Sequence, residues 1–422
     1  MNRVDVNLKR YEHKKVVLIQ PKAFHAWEAL NIGYLKSFNA PRFPHTKWEF
    51  YSGFFDSDKK IIDGCQDADY IGFSCTTPQL PHAQRLIEKI SKIQPAPQII
   101  IGGVHASAQP HHTFRYADYV VEGEGEYALT EILNGTEPNI IQKAYFENPD
   151  SIPFPDRRFI KQERNIEQAY KDNGKRIGSI LTSRGCPFKC TFCSSKEVWE
   201  GKFRYRSPKN VILEMADLKA HWDLDFIKFA DDTFTVNLGR VKEICKEKMK
   251  EPYLKTLEWG CNIRANTPLN VLKEMVMAGC KEVWIGVESG SPSILKDMRK
   301  GITIEQVKNI FKLTKQLGLY RRAYFMLGMP NESAWDLRLT EELATEIDAD
   351  EYGFTILAPY PNNVIFEPEM LDTLEWDKVD EYGNKTTKTK HLDNDQLHDF
   401  QTYLTDKFVA KMCFRQKVDT SD

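Results

Sequence analysis

The sequence predicts an α/β protein in two parts, an open parallel-sheet domain followed by a partial (β/α)6 barrel, with a small helical C-terminal tail. Three observations carry this expectation. Short β-branched runs alternate with amphipathic stretches along most of the chain, the pattern of parallel sheets covered by helices. The alternation falls into two series, parted by a polar stretch bearing Pro149, Pro153 and Pro155. At 422 residues, the chain exceeds what one ordinary hydrophobic core serves.

The first series runs through Val16–Ile19, Tyr70–Ser74, Ile99–Gly103 and Tyr119–Val121. Between its second and third runs, Ala83, Leu86, Ile87 and Ile90 recur at helical spacing and give one apolar stripe, hence a βαβ unit. Glu126–Leu133 reads as a further helix. We assign residues 1–140 to this domain and 141–175 to a linker. The second series predicts strands at 178–183, 225–230, 258–263, 282–287, 322–327 and 352–357. Helices lie between them, with apolar faces such as Val271, Leu272, Met275 and Val276. Ser207 is a good N-cap with Pro208 in the first helical position. Six strand–helix units are too few for the closed eightfold barrel, so residues 176–362 are expected to form an open one. In the extension, 363–422, an exposed loop is expected at Glu381–Lys388 and a helix at Leu397–Met412.

The charge balance, 58 basic against 60 acidic residues, gives no electrostatic case for a nucleic-acid partner. The first residues lack the apolar core of a secretory signal, and no run approaches the roughly 18 apolar residues of a membrane span. A cytoplasmic protein is expected. Nine cysteines, an odd number, argue for reduced thiols or metal ligands over a disulfide framework. Cys65, Cys75, Cys245, Cys261, Cys280 and Cys413 are scattered and read as small buried hydrophobes, with Cys261 the candidate exception at a strand end.

The other three crowd together in Ser183-Arg-Gly-Cys186-Pro-Phe-Lys-Cys190-Thr-Phe-Cys193, directly after the first strand of the second series. Parallel barrels place their chemistry at the carboxyl ends of strands. Thiolates favour zinc or iron–sulfur centres. A closed zinc site needs a fourth protein ligand, which here must come from farther along the chain. A cubane held by three cysteines instead leaves one iron open to an exogenous molecule.

This spacing, the aromatic Phe192 and the position after a first barrel strand resemble the radical S-adenosylmethionine (SAM) superfamily. The resemblance implies a 4Fe-4S cluster on Cys186, Cys190 and Cys193 whose open iron chelates SAM, with reductive cleavage yielding a 5'-deoxyadenosyl radical. It continues at later strand ends and there implies SAM contacts. Asp231 and Asp232 close the second strand and suit the cofactor's ammonium. Arg264 closes the third and offers a planar fork to its carboxylate. Glu288 and Ser289 close the fourth. Gly328, in Phe325–Glu332, resembles the adenine-contacting segment. No residue is singled out as catalytic.

A small βαβ domain before such a barrel most resembles the cobalamin-binding domain of cobalamin-dependent radical enzymes, a Rossmann-like fold. Ser74, Thr76, Gly102, Gly103 and Glu124 stand where such a domain meets its ligand, at the carboxyl ends of strands. The Asp-x-His-x-x-Gly signature of a histidine-ligated cobalt is missing, since His25, His82 and His105 have no glycine three residues on. A domain that has lost the cofactor is the alternative. The resemblance implies a methyltransferase acting on an unactivated carbon, served by an external flavodoxin- or ferredoxin-type electron donor and acting on a small-molecule or biosynthetic-intermediate substrate. The rivals are radical cyclisation, rearrangement or cleavage without methyl transfer, and a non-catalytic zinc-holding scaffold.

Overall fold

The computed structural model describes the backbone of residues 13–419 and their side chains apart from 142–144, 197 and 410–419. Two compact units emerge. The first comprises the chain to Glu147, Ser151–Gln168 and Leu371–Asp377; the second comprises Asn148–Asp150, Ala169–Met370 and Lys378 onward. The stretch 141–175, read from the sequence as a linker, therefore holds the end of a strand and the helix Glu163–Asn173, and much of it belongs to the first unit. There Lys36 pairs with Asp156 at 2.7 Å, and Phe159 packs on Phe50.

The first unit is a six-stranded parallel sheet of β1 (Lys15–Gln20), β2 (Lys47–Ser52), β3 (Tyr70–Ser74), β4 (Gln98–Gly102), β5 (Tyr119–Gly123) and β6 (Ile140–Ala144), in the order β2-β1-β3-β4-β5-β6. Four strands match the expected runs. The two that sequence reading missed, β2 and β6, are the sheet's edges. An edge strand is less enclosed and need not be a continuous β-branched run, and Lys-Trp-Glu-Phe-Tyr-Ser is not one. Val17, Ile19, Ile71, Phe73, Ile101 and Val120 pack against Ala83, Leu86, Ile87 and Ile90 of the helix Leu80–Ile90. Each large aliphatic side chain buried this way contributes about 1.5–3 kcal/mol. Strand order reverses between β1 and β3, and open parallel sheets bind ligands at the carboxyl side of that crevice.

The second unit's sheet contains β7 (Ile177–Ile180), β10 (Phe226–Phe229), β11 (Glu258–Ile263), β12 (Cys280–Glu288), β13 (Tyr320–Leu327) and β14 (Glu351–Ile356), all parallel, in the order β14-β13-β12-β11-β10-β7. Between β7 and β10 a short antiparallel pair, β8 (Ser183–Arg184) with β9 (Arg204–Tyr205), brackets the cysteine loop. Each of the six sheet positions matches a predicted strand within a few residues. Helices Pro208–Trp222, Leu238–Lys250, Leu269–Met277, Ile304–Gln316 and Ala334–Ile347 make the crossovers. Several start on a side-chain cap: Ser207 accepts from Asn210 N–H, and Thr303 and Ser333 form capping boxes with Gln306 and Asp336. The C-terminal helix, Asn394–Asp419, docks on β14, where Gln401 Nε2 donates to Phe354 O at 2.9 Å and Phe408 meets Tyr352. The tail thus supplies the helix of the sixth strand–helix unit. Among the described residues no helix is long and apolar enough to cross a membrane.

Candidate functional site

The cysteine loop leaves the barrel after β7. Its turn demands glycine: Gly185 has φ +88°, and a Cβ there would stand 2.0 Å from Lys202 O. The loop docks through Thr191, whose N–H donates to Met298 O at 3.0 Å and whose hydroxyl donates to Asp297 O at 3.2 Å. Cys190 is buried, Cys186 and Cys193 half-buried. Burial pushes the Cys190 thiol up, against the pull of Lys300 and Arg264 nearby. Cys193 is pushed up to about 11, again by burial, although Ser195 N–H donates to its sulfur. Cys186 Sγ lies 3.9 Å from Thr233 Oγ1. Among the described residues no three His, Cys, Asp or Glu side chains are gathered for a single ion. A cubane asks each thiolate to reach a different iron, and three cysteines on one loop beside two cations suit such an electron-rich centre.

Asp231 and Asp232 part company in space. Asp231 is buried and spent on the backbone: one carboxylate oxygen accepts Thr182 N–H at 2.6 Å and Ser183 N–H at 2.8 Å, the other the Thr182 hydroxyl. It clasps the end of β7 where the chain turns into the cysteine loop. Burial pushes its pKa above the usual carboxylate value despite Arg240, whose guanidinium donates to Thr182 O at 2.6 Å. Asp232 is exposed and accepts Ser195 Oγ at 2.5 Å.

Arg264 lies flat on Phe188 of the cysteine loop, its guanidinium carbon 3.7 Å from the ring centroid, and donates through Nη2 to Lys300 O. Its Nε is buried without a partner. Glu288, at φ +69° where the β12–β13 register shifts, binds Lys300 Nζ, and that ammonium stands 5.8 Å over Phe192. Phe188 and Lys300 escaped sequence reading. The first carries no polar chemistry, and the second is brought back only by the turn between Asp297 and Ile302. Ser289 is packed away, sharing a hydrogen bond with Thr340 and accepting from Ser291 N–H. Gly328 N–H donates to Glu332 at 2.5 Å. Glu332 is fully buried, its other oxygen has no partner, and burial pushes it up to about 8. Cys261 is fully buried, and burial, with Cys280 next to it, pushes its thiol up. Cys65, Cys75, Cys245 and Cys280 are buried as well, and the side chain of Cys413 lies outside those described.

In the first unit the loops after β3 and β4 are knitted together. Cys75 N–H donates to Gly102 O at 2.9 Å and His105 N–H to Cys75 O at 3.2 Å. Gly103, at φ +98°, permits this, since a Cβ would come within 2.7 Å of Cys75 O. Ser74 Oγ accepts Asn31 Nδ2 at 2.5 Å. Thr76 caps the turn Thr77–Gln79, its N–H and hydroxyl both reaching Gln79 Oε1. Glu124 is buried and accepts Phe146 N–H at 2.7 Å, tying the turn after β5 to the chain beyond β6. Both ring nitrogens of His82 are taken, by Lys22 N–H and Asp58, and both of His105, by Thr77 and His112. Phe24 and Trp27 after β1, and Val104 after β4, are exposed apolar groups on the carboxyl side of the sheet.

The model of the Radical SAM superfamily matches residues 180–344, and that of the B12 binding domain matches 50–133. A protein of Pyrococcus horikoshii named as an uncharacterized methyltransferase is 31% identical over 384 residues, covering 81% of this chain and 82% of its own. The chain belongs to the radical SAM superfamily. A further relative of this radical SAM enzyme, an anaerobic magnesium-protoporphyrin IX monomethyl ester cyclase of Rubrivivax gelatinosus, is 27% identical over 384 residues, 84% of this chain and 68% of its own. Among solved structures, the radical SAM methyltransferase TsrM of Kitasatospora setae, with cobalamin and a 4Fe-4S cluster bound, has the same fold at a TM-score of 0.69 and 18% identity, covering 84% of this chain and 74% of its own. Radical SAM and B12-binding domains thus stand in one chain, in the order read from the sequence, and imply a 4Fe-4S cluster, SAM and cobalamin as its cofactors.

Proposed function

We propose that this radical SAM enzyme is a cobalamin-dependent methyltransferase acting on an unactivated carbon of a small-molecule substrate. The observation that carries the reading is the union, in one chain, of a B12-binding unit with a three-cysteine loop at the carboxyl end of the first barrel strand. Bound there, the cluster supplies the electron that cleaves SAM, and cobalamin carries the methyl group.

The chain's own work is positional. Cys186, Cys190 and Cys193 hold the cluster, and Asp231 fixes the backbone from which their loop departs. Arg264, held flat between Phe188 and Lys300 O, keeps its buried Nε for the SAM carboxylate. Asp232, open at the rim, accepts the SAM ammonium, while Glu288 sets Lys300 beside the loop. Gly328, backed by Thr387 and Ile356, presents its backbone to adenine at the end of β13, and Ser289 braces the end of β12. In the first unit Ser74, Thr76, Gly102 and Gly103 shape the edge that takes cobalamin, and Glu124 holds its scaffold. A flavodoxin- or ferredoxin-type donor and a cytoplasmic setting complete the reading. A second reading, radical chemistry without methyl transfer, is favoured by the likeness to the cyclase.

The test is anaerobic. The chain is reconstituted with iron, sulfide and hydroxocobalamin, reduced and given SAM, and 5'-deoxyadenosine and S-adenosylhomocysteine are measured. Both products are expected; deoxyadenosine alone would sink methyl transfer in favour of the second reading. The Cys186→Ala, Cys190→Ala, Cys193→Ala triple variant should lose the brown iron–sulfur chromophore, and its retention would refute the assignment of the cluster ligands.

A further inference from the structure

Two side-chain hydrogen bonds and an ion-pair contact form a chain through the first unit behind the loops that follow β3 and β4. Thr77 Oγ1 lies 3.1 Å from His105 Nδ1, His105 Nε2 lies 3.3 Å from His112 Nδ1, and His112 Nε2 lies 3.7 Å from Asp372 Oδ1. Thr77, His105 and His112 are buried. Asp372 belongs to the segment Leu371–Asp377, which packs with this unit although Asp372 lies 257 residues beyond Arg115 in sequence. Arg115 Nη1 donates to the same Asp372 oxygen at 2.9 Å, and Arg85 donates to Asp377 at 3.1 Å.

The chemistry of the four groups fixes the direction of every proton. The Asp372 carboxylate, which accepts from Arg115, turns the same oxygen toward His112 Nε2, so His112 carries its proton on Nε2. Burial keeps both histidines neutral, lowering His105 to about 3 and His112 as well. A neutral ring with Nε2–H accepts at Nδ1, so His105 donates to His112 through its own Nε2–H. His105 Nδ1 must then accept, and the Thr77 hydroxyl donates to it. Thr77 stands three residues beyond β3 and His105 three beyond β4, so this side-chain bridge and the Cys75–Gly102 backbone bonds pin the same two loops.

We propose that Asp372 is a positioning residue for the cobalamin edge of the first unit: it orders the protons of His112 and His105 so that the Thr77 hydroxyl is committed inward and the two loops keep one arrangement. The proposal rests on the reading of this unit as a cobalamin holder. It assigns the extension's Leu371–Asp377 a part in cofactor binding without contact to the cofactor.

The test reads protons first and affinity second. Long-range proton–nitrogen spectra of the full-length, cobalamin-free protein labelled with 15N-histidine report the tautomers, with His112→Gln used for assignment. His105 and His112 should both be Nε2–H tautomers. Asp372→Leu removes the acceptor and leaves Nε2 facing Arg115, and should turn His112 into the Nδ1–H tautomer and reverse the chain; Asp372→Asn, which keeps one oxygen toward Arg115 and His112, and Asp372→Glu should leave it unchanged. Titration with hydroxocobalamin should show a dissociation constant raised about threefold in Asp372→Leu, the scale of an exposed charged pair, and restored in Asp372→Glu. An Nδ1–H tautomer at His105 in the natural chain overturns the proposal, as does reversal with no change in affinity. A natural chain that binds no hydroxocobalamin overturns the cobalamin reading and this role with it, and is told apart because the tautomers are read without the cofactor.

Discussion

Replacing Asp231 separates a structural clasp from a cofactor ligand. Asp231→Ala strips the acceptor from Thr182 N–H, Ser183 N–H and the Thr182 hydroxyl, all buried. Each buried donor left unpaired costs about 1–3 kcal/mol, and the hydroxyl is free to rotate toward another acceptor, so the two backbone groups dominate and the loss is about 3–5 kcal/mol. Asp231→Asn behaves differently because both backbone bonds converge on one oxygen. An amide keeps that oxygen and turns its NH2 toward the hydroxyl, which can accept, so the cost is about 1 kcal/mol. Urea denaturation of the full-length chain followed by near-ultraviolet circular dichroism measures both, and iron per chain after anaerobic reconstitution measures whether the cysteine loop survives. The expected order is natural chain, then Asn slightly below, then Ala far below with less iron. An alanine variant within about 1 kcal/mol of the natural chain, or an asparagine variant as damaged as alanine, would refute the clasp.

Two further perturbations follow from the same accounting. Glu332 sits at about 8 in the folded chain against 4.5 when free, so its contribution is fully present below pH 4.5 and is lost as pH rises toward 8; Glu332→Gln should remove that decline, at most about 1.4 kcal/mol per pH unit, in urea midpoints taken at pH 5.5 and 8.5. Arg264→Lys gives up the planar stacking on Phe188 and the buried Nε–H; equilibrium dialysis should show SAM binding weakened about tenfold, with iron content unchanged.

The sequence by itself determined the two parallel-sheet series, because central strands are enclosed on both faces and must be written as apolar runs such as Ile99-Ile100-Ile101. It also determined the cysteine loop, whose three thiols lie within eight residues and need no long-range fold to be recognised. The edge strands β2 and β6 were hidden for the opposite reason, since weak enclosure leaves little pattern. Tertiary structure alone decided which polar residues are available for chemistry. Asp231 and Asp232 are neighbours in sequence, yet one is consumed by the backbone of β7's exit and the other faces solvent. Arg264 gains its flat seat from Phe188, and His112 meets Asp372 from a segment far along the chain. Burial and hydrogen-bond partners are properties of what the folded chain brings alongside, and no local run of residues encodes them.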